Sequence, residues 1–303
     1  MREKYTKNLP EKFTRNILEL HGANGKKWLA DLPAIVAEIS GKWSLKIEKA
    51  FSNLTFNYVA ACADETGAKC VLKIGAAKDS SIKYESRALE AFAGKGAVKL
   101  LKFDRKLYAM LLERAVPGKT LGEACGGDFF KAFQIALELM KKLPRQPIDK
   151  NKFINLETWK DDLSRAVKAG FEPEKVGKAR KFFAEMSEPF ERKILLHGDI
   201  HFDNILTARR EPFLLIDPKG VVGEIGYEVA VFLVDLTGWT EDLPNQKEIL
   251  EAALKSFSDA FAVSIKDLRK WCFAFAVLSS WWVTEDFGKV WKEQILRAEI
   301  WEV

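Results

Sequence analysis

A series of short strand-like segments before residue 113 is the feature that most restricts the fold of this chain. Five apolar stretches of four to six residues alternate with polar turns, a pattern typical of strands rather than helices. Residues 64–67 (DETG) predict a hairpin turn between the second and third stretches, and hence an antiparallel meander. A helical segment at 80–92, with Glu85 and Leu89 one turn apart, interrupts the strands. The predicted strands are residues 43–47, 56–60, 69–74, 98–101 and 107–112.

Helical patterns surround this sheet. Before it, apolar residues spaced three and four apart predict two helices with one buried face: Phe13, Ile17, Leu18 and Leu20, then Trp28, Leu29, Leu32, Ile35, Val36 and Ile39. Pro117 and Gly118 mark a seam, and the helices predicted beyond it are residues 128–142, 156–169, 175–187 and 227 onward, interrupted by a β-like island at 195–216. We therefore expect an α+β fold with a sheet domain at 1–114, including its helical extension, and a larger, mainly helical domain at 115–303.

Composition narrows the class of protein. With 303 residues, 48% of them hydrophobic and 35 of them aromatic, the chain can bury a substantial core. No apolar run approaches the roughly 18 residues of a membrane span, and no apolar stretch follows the charged N-terminus. We expect neither a membrane span nor a secretory signal, and we expect a cytoplasmic protein. The four cysteines are far apart and include no Cys-x-x-Cys pair, so neither a zinc site nor a disulfide framework is indicated.

The charge distribution differs between the two halves. The net charge of +5 is too small to indicate a nucleic-acid-binding protein. Residues 1–113 carry 20 basic and 13 acidic side chains, whereas residues 114–303 carry 28 and 30. This asymmetry would suit an anionic ligand in the first domain and a cationic ligand in the second. Scattered, solvated lysines would explain it equally well.

Polar residues within the β-like island carry the strongest functional signal. The sequence His197-Gly198-Asp199 is followed by Asn204 and, thirteen residues further on, by Asp217. Polar groups between apolar strands need partners, and a divalent cation would provide one. Mg²⁺ prefers carboxylate, amide, water and phosphate oxygens, so Asn204 and Asp217 are candidate ligands together with nucleotide phosphates. Asp199 would then be available to accept the proton of an attacking hydroxyl.

The sheet domain offers a matching phosphate-binding pair. Lys73, near the end of the third predicted strand, could reach the α- and β-phosphates of a nucleotide, and Glu85 could hold its ammonium in place. Taken alone, either residue is more often a solvated surface group. The spacing His-Gly-Asp-x-x-x-x-Asn is more specific, because four fixed positions seldom coincide by chance.

These segments together resemble the aminoglycoside phosphotransferase family, whose fold is similar to that of the protein kinases, and most closely its streptomycin and hydroxyurea phosphotransferase branch. The resemblance covers roughly residues 28–288. It is carried by residues 51–59 (FSNLTFNYV), 71–74 (VLKI), Glu85 with Ala88 and Leu89, 96–101 (GAVKLL), 110–114 (MLLER), Pro117 and Gly118, 196–206 (LHGDIHFDNIL) and 216–220 (IDPKG).

The resemblance implies a bilobal, kinase-like fold and a role for each of several residues. It implies that Asp199 is the catalytic aspartate, and that Asn204 and Asp217 bind Mg²⁺. Lys73 and Glu85 would anchor the phosphates of ATP, although GTP is left open. By the same resemblance, the backbone of the hinge from Glu113 to Ala115 would bind the nucleotide base.

Two departures from the protein-kinase pattern concern the phosphates and the acceptor. The segment between the first two strands, residues 52–57 (SNLTFN), has no glycine, so phosphate contact by Ser52 and Asn53 is harder to achieve. Pro218 and Lys219 follow Asp217 where protein kinases carry phenylalanine and glycine, which argues against a protein substrate. Lys219 could steady the transferred phosphoryl charge, or it could form a structural ion pair.

Acidic residues of the second domain are candidates for binding a cationic acceptor by charge-assisted hydrogen bonds. The predicted contacts are Glu228, Glu285 and Asp286, and they belong to a wider acidic set that includes Asp161, Asp162, Glu224 and Asp235. Trp281 and Trp282 precede Glu285 and could form aromatic walls beside it, or could simply pack in the core.

The sequence thus predicts an ATP- and Mg²⁺-dependent phosphotransferase that moves the γ-phosphate to a hydroxyl of a small molecule. The nominal substrate is a streptomycin-like aminoglycoside or a hydroxyurea-type antibiotic. A kinase of a housekeeping sugar or amino alcohol, and a catalytically silent nucleotide-binding module, are the alternatives. We expect a monomer or small homo-oligomer with neither nucleic acid nor membrane as a partner.

Overall fold

The chain divides into two compact units in a computed structural model. Unit 1 is Met1–Val116 and unit 2 is Pro117–Val303, whereas the predicted boundary lay between residues 114 and 115. The structure describes residues 9–76, 81–145, 149–167, 170–287 and 292–302, but not the side chains of 286, 287 and 292–294.

A five-stranded antiparallel sheet forms the centre of unit 1, as predicted. Its strands are β1 (Lys46–Ala50), β2 (Asn57–Ala63), β3 (Lys69–Gly75), β4 (Leu100–Asp104) and β5 (Ala109–Glu113). The helix α2 (Ser81–Phe92) follows β3. The strand order is β1-β2-β3-β5-β4, so β4 is an edge strand and β3 is central.

Two local details explain where these strands begin and turn. The strand predicted at 43–47 begins only at Lys46, because Trp43 ends a helix and Ser44 takes a left-handed backbone conformation with φ of 55°. The predicted hairpin turn is present. In it, the carboxylate of Asp64 accepts hydrogen bonds from the backbone N–H groups of Thr66 and Ala68. The Asp64 side chain thus provides an acceptor for N–H groups of the turn.

The N-terminal extension is helix α1 (Glu11–Trp43), which is broken at Gly22 by φ and ψ angles of 52° and −126°. The break separates the two helices that the sequence predicts. Phe13, Ile17 and the second apolar set pack into the core of unit 1, but Leu18 and Leu20 are exposed, contrary to the prediction of one buried face. The buried amide of Asn16 donates a hydrogen bond to the carbonyl of Thr55, 3.2 Å away, in the loop between β1 and β2.

Unit 2 is mainly helical and contains two small sheets. Its helices are α3 (Leu121–Cys125), α4 (Phe129–Lys142), α5 (Glu157–Ala166), α6 (Pro173–Met186), α7 (Ile225–Trp239), α8 (Gln246–Phe261), α9 (Ile265–Phe287) and α10 (Lys292–Ile300). One sheet has the order β6 (Ile154–Asn155), β10 (Val221–Gly223), β7 (Ile194–Leu196), and the other pairs β8 (Ile205–Thr207) with β9 (Phe213–Leu215). No helix within the described ranges is both long and apolar enough to span a bilayer.

Helix α7 organises the interior of unit 2. Most of its residues are buried, and it packs against α8 and α9. Phe202, between β7 and β8, stacks on Phe232 and Trp239 of α7 with ring centres 5.4 and 4.9 Å apart. This stacking fixes the connection between β7 and β8, which contains the motif beginning at His197.

Candidate active site

Lys73 and Glu85 form a buried ion pair in unit 1. Lys73 lies on β3, hydrogen-bonded between β2 and β5, and Glu85 lies on the buried face of α2. The Lys73 Nζ and Glu85 Oε2 atoms are 2.7 Å apart, and the two residues are 4% and 6% exposed. Because a charge removed from water is costly unless it is paired, each group fixes the position of the other.

The loop between β1 and β2 exposes Ser52 and Asn53 while burying Leu54. No residue from 51 to 57 has a positive φ, so the loop does not need the glycine that it lacks. The N–H of Phe51 donates to the carbonyl of Val59, 3.0 Å away, and closes the loop.

Glu113 and Ala115, the predicted hinge residues, lie at and just beyond the end of β5. The N–H of Glu113 donates to the carbonyl of Lys99, and the Glu113 carboxylate accepts from the N–H of Lys99 at 3.0 Å. The Glu113 side chain therefore contacts the backbone just before β4. Ala115 is half-buried. Binding of a nucleotide base by the backbone of these two residues stays a prediction.

The motif that begins at His197 is a loop between β7 and β8. Gly198 has a φ of 82°, and a Cβ atom there would lie 2.9 Å from Cγ2 of Val221 on β10. Both the backbone angle and the contact with β10 require glycine at this position. The chain can thus turn sharply after β7 and present the next residue, Asp199.

His197 supports this loop from beneath. It is fully buried, and its Nε2 lies 2.9 Å from the carbonyl oxygen of Ile216. Its Nδ1 accepts a hydrogen bond from the N–H of Asp199, so Nε2 carries the proton. Burial lowers the pKa of His197, which keeps the ring neutral. The N–H of Lys219 donates to the carbonyl of His197 at 2.8 Å, which joins the motif loop to the segment after β9.

The carboxylate of Asp199 is partly exposed and lies among positively charged and polar groups. Its side chain is 26% exposed, and Oδ2 lies 3.2 Å from Nζ of Lys219 and 3.9 Å from Nε2 of His201. Burial alone would raise the pKa of Asp199, but the Lys219 ammonium holds this pKa below its usual value. At neutral pH the group is therefore an anion that can accept a proton.

Asn204 and Asp217 are brought together by the β8–β9 hairpin. The N–H of Ile216 donates to the carbonyl of Asn204 at 3.0 Å, which sets Asp217 one residue beyond this pairing. The Asn204 Nδ2 donates to the carbonyl of Asp199 at 3.0 Å, so the amide oxygen Oδ1 is the atom available to a cation. Asp217 is exposed and has a left-handed φ of 63°, an uncommon conformation outside glycine.

This donor set fits Mg²⁺. The ion usually takes one or two protein carboxylates and completes its shell with phosphate oxygens and water. Within the described ranges, no group of three His, Cys, Asp or Glu side chains forms a self-contained metal site. An amide oxygen and one carboxylate beside a phosphate-bearing substrate match the usual pattern for Mg²⁺ in phosphoryl transfer.

Glu228 occupies a different position from the one predicted for a substrate ligand. It is fully buried on α7, and its carboxylate oxygens accept hydrogen bonds from the N–H groups of His197 and Gly198 at 3.0 and 2.7 Å. Nη1 of Arg145 lies 3.4 Å from the same carboxylate and also donates to the carbonyl of Leu195. A carboxylate with no exposed surface cannot contact a substrate directly. Glu228 instead contacts the loop that begins at His197.

Asp235 makes a similar contact further along α7. Its Oδ2 accepts a hydrogen bond from the N–H of Phe202 at 2.8 Å, and burial raises the pKa of its carboxyl. Sequence reasoning did not assign this role to Asp235 and did not single out Arg145 at all. The available signal was that Glu228 and Asp235 are the two acidic residues of the otherwise apolar helix α7 and lie seven positions, or about two turns, apart.

Glu285 and its neighbours form an exposed cluster between α5 and α9. Arg165 contacts Glu285 at 2.9 Å and Asp162 at 3.2 Å, so these carboxylates already have a cationic partner. Trp282 is half-buried, with its Nε1 3.4 Å from Asp162, whereas Trp281 is buried in the core. The side chain of Asp286 lies outside the described residues. Substrate binding by Glu285 and Asp286 stays a prediction.

Comparison with known proteins identifies the family. The family model for aminoglycoside/hydroxyurea antibiotic resistance kinases matches residues 44–287, most of the chain. The chain belongs to this kinase family. The resemblance that was expected from the sequence motifs, and the phosphotransferase class that it implies, are therefore confirmed.

Two relatives match this chain over most of its length. The chain is 25% identical over 288 residues to streptomycin 6-kinase of Streptomyces griseus, covering 92% of each protein. It is 29% identical over 247 residues to hydroxyurea phosphotransferase of Kitasatospora aureofaciens, covering 78% of this chain and 72% of that protein.

Solved structures show the same fold. Aminoglycoside phosphotransferase APH(4)-Ia has a TM-score of 0.61 at 14% identity, covering 88% of this chain and 97% of that one. Choline kinase LicA from Streptococcus pneumoniae has a TM-score of 0.60 at 16% identity, covering 90% and 98%. These neighbours confirm the predicted kinase-like α+β fold of this family member.

Proposed function

We propose that the protein is an ATP-dependent kinase that phosphorylates a hydroxyl group of a small, cationic molecule of the streptomycin type. The observation that carries the proposal is the state of Asp199, an ionised and partly exposed carboxylate on a loop that buried side chains fix in place. Membership of an antibiotic resistance kinase family supports the class of reaction.

Asp199 would act on the acceptor hydroxyl. It would accept the hydroxyl proton while the hydroxyl oxygen forms a bond to the γ-phosphorus and the bond from that phosphorus to the β-bridging oxygen breaks, releasing ADP. The proton would then leave Asp199 for solvent through its exposed face. General bases of this kind typically contribute about 10²- to 10⁴-fold to a rate.

The phosphates and the metal ion would be held by side chains of each unit. In unit 1, Lys73 would bind the α- and β-phosphates, with Glu85 fixing its ammonium. In unit 2, Oδ1 of Asn204 and the carboxylate of Asp217 would hold Mg²⁺, which when bound neutralises charge on the β- and γ-phosphates. Ser52 and Asn53 would contribute backbone or side-chain donors to the phosphates, and the backbone of Glu113 and Ala115 would bind the base.

Lys219 would have two effects through one ammonium group. Its Nζ lies 3.2 Å from Asp199 and keeps that carboxylate ionised. The same group is 43% exposed, and it would also contact the transferred phosphoryl group. We propose Lys219 as a catalytic residue on this basis.

Glu228, Arg145 and Asp235 would act as positioning residues. Glu228 accepts hydrogen bonds from the N–H groups of His197 and Gly198, before Asp199, and Asp235 accepts one from the N–H of Phe202, after it. Arg145 donates to Glu228 and to the carbonyl of Leu195. Because these acceptors are carboxylates, their hydrogen bonds to N–H groups are stronger than those of neutral acceptors. They would fix Asp199 without touching either substrate.

The acceptor class follows from the relatives and from charge. The streptomycin 6-kinases match over 92% of this chain and carry streptomycin in their names. A second candidate, hydroxyurea, is favoured by the hydroxyurea phosphotransferase that is 29% identical. Glu285 and Asp286 are the proposed contacts to a cationic acceptor, which would have to compete with Arg165 for Glu285. We further propose a cytoplasmic location, since the reaction consumes ATP. We also propose a monomer or small homo-oligomer.

The test is acceptor-dependent release of ADP by the purified protein with Mg²⁺ and ATP. Streptomycin, hydroxyurea, choline and a neutral sugar alcohol would be compared, with Asp199→Asn as the inactive control. We expect release with streptomycin and little with the sugar alcohol. Release with choline alone would favour a housekeeping kinase. Binding of ATP with no release for any acceptor would favour a silent module, and either outcome would overturn the proposed acceptor.

A further inference from the structure

A cavity of unit 1 lies between α2 and the edge strand β4. Its volume is about 740 Å³, within the roughly 300 to 1,000 Å³ of small-molecule sites. None of the residues assigned above to phosphate, metal, base or acceptor binding lines it. The cavity is therefore a separate feature from the proposed kinase site.

Most of the charged side chains that line this cavity are cationic. Five of them are basic and one is acidic: Lys83, Arg87, Lys99, Lys102, Arg105 and Glu90. Assembling like charges raises the local electrostatic potential and costs free energy unless an anion offsets it. The lining thus concentrates, at one place, much of the excess positive charge that distinguishes the first 113 residues from the rest of the chain.

Local structure holds two of these cations at the cavity. The ammonium of Lys83 lies 4.8 Å from the centre of the Tyr108 ring, a cation–π contact that orients the group without neutralising it. A Cβ atom at Gly94, which has a φ of 78°, would lie 2.8 Å from Cγ of Lys99. The absence of a side chain at Gly94, just after α2, therefore leaves room for the Lys99 side chain beside the cavity.

We propose that this cavity binds a small molecule that carries two or three adjacent phosphate groups. Arginine binds phosphate through a planar fork of donors and lysine binds it as a point charge, and the lining supplies both kinds from α2 on one side and from β4 and its flanks on the other. The net charge of the lining, four positive, matches the charge of such a ligand.

Binding there would act on α2. Glu85, which pairs with Lys73, lies on the same helix between Lys83 and Arg87. A ligand that bridges α2 and β4 would restrain the helix that presents Glu85. The regulatory meaning of this restraint depends on the proposed kinase function, but binding of the anion does not.

Isothermal titration calorimetry with inorganic triphosphate would test the site, with a saturating non-hydrolysable ATP analogue present to fill the nucleotide site. We expect the wild type to bind triphosphate under these conditions. The variant Lys102→Glu/Arg105→Glu should bind at least about tenfold more weakly, because it loses two charge-assisted contacts. Its kcat without triphosphate should equal that of the wild type.

The matched control is Lys26→Glu/Lys27→Glu, which makes the same charge change at exposed positions of α1. It should alter triphosphate affinity by less than about twofold, because neither residue lines the cavity and exposed charges are screened by salt. Equal weakening in both variants, or no binding beside the ATP analogue, would overturn the proposal. If the reversed variant fails to fold by circular dichroism, Lys102→Gln/Arg105→Gln replaces it.

Hydrogen exchange gives a second readout that does not depend on activity. Triphosphate should slow amide exchange in the first two turns of α2 in the wild type and not in the charge-reversed variant. Unchanged exchange in the wild type would contradict the restraint of α2. Failure of the kinase assay would leave both binding results unaffected, so the two proposals can fail separately.

Discussion

The two units hold their reactive side chains by different means. In unit 1, Lys73 and Glu85 come from the interior of a regular strand and a regular helix, and strand register fixes Lys73 between Val59 and Met110. In unit 2, Asp199 comes from a loop whose backbone N–H groups are bound by the buried carboxylate of Glu228 on α7. Hydrogen bonding of the backbone to itself secures the first arrangement, whereas a few side chains secure the second.

This difference predicts where single substitutions will matter most. A side chain on a central strand keeps its place when a neighbour is changed, because the ladder of backbone hydrogen bonds remains. A loop fixed by one carboxylate loses its geometry when that carboxylate is removed. The loop of unit 2 should therefore be more sensitive, in activity, to the loss of buried supporting residues.

The largest effect is expected when the proposed catalytic base, Asp199, is replaced. Asp199→Asn should lower kcat by roughly 10³-fold or more while leaving the affinity for Mg²⁺-ATP within a few fold, because the base acts in the chemical step. The assay is acceptor-dependent ADP release combined with calorimetry of nucleotide binding. The control is Asp203→Asn, an exposed carboxylate of the same loop. An unchanged kcat in Asp199→Asn would eliminate the assigned role.

Glu228→Gln tests the support of the loop. The variant keeps the shape of the side chain but replaces a charged acceptor of two N–H groups and leaves Arg145 without its charge partner. We expect kcat to fall about 10- to 100-fold and the free energy of unfolding to fall by about 2–4 kcal/mol.

Two readouts separate positioning from simple destabilisation in Glu228→Gln. The KM for ATP should change little, and Glu228→Asp should recover part of the lost kcat. A variant with full activity per folded molecule would show that α7 does not position Asp199.

Lys219→Met removes the charge beside Asp199 without burying a new polar group. We expect kcat to fall about 10-fold while the affinity for Mg²⁺-ATP is kept, because the loss of one electrostatic contact in the transition state costs on the order of 1–2 kcal/mol. Lys219→Arg should retain more activity than Lys219→Met. Equal kcat values for these two variants would indicate that the charge has no catalytic role.

Glu85→Gln tests the regular arrangement of unit 1. The Lys73 ammonium loses its 2.7 Å partner charge but keeps its place on β3. The KM for ATP should rise about tenfold, the effect of roughly 1.4 kcal/mol, while the KM for the acceptor is unchanged. Glu90→Gln, an exposed change on the same helix, is the control. A fall in kcat as large as that of Glu228→Gln would contradict the contrast between the two units.

The smallest effect concerns stability and its pH dependence. Asp104 is buried, and although burial alone would raise its pKa, hydrogen bonds from Lys42 and from the N–H groups of Leu107 and Lys106 hold this pKa below its usual value. Its contribution to stability is therefore present above about pH 4 and lost as the pH falls through the lowered pKa. Asp104→Asn should cost about 1–2 kcal/mol at pH 7 and leave kcat unchanged.

Urea unfolding at pH 7 and at pH 3 would measure this effect, with the exposed change Asp31→Asn as the control. The difference between wild type and Asp104→Asn should shrink at pH 3. A difference that is equal at both values would mean that the charge of Asp104 does not contribute.

Much of this architecture was predictable because it depends on local patterns. Alternating apolar residues and the turn at Asp64 predicted the strands of unit 1 to within a few residues. The spacing of Asp199 and Asn204 predicted that the loop between β7 and β8 contains site residues. The segments around β6 and β10 were not predicted, since two- and three-residue strands carry too little periodicity to detect.

The role of Glu228 was missed for a different physical reason. Its partners are backbone N–H groups, which every residue possesses, and they lie 30 and 31 positions earlier in the chain. A sequence pattern reports side-chain types and local spacing, and neither identifies such a contact. The ion pair of Arg165 with Glu285 was hidden in the same way, because 120 residues separate the two partners.

The hydrogen bond from Asn16 to the carbonyl of Thr55 affects how the protein should be shortened for laboratory use. The family match begins at residue 44, so a trimmed version would naturally start there. Such a version would lose the tether on the loop that carries Ser52 and Asn53, and would uncover the apolar surface on which Phe13 and Trp28 pack. The leading helix should be treated as an integral brace of the sheet and kept in any shortened form.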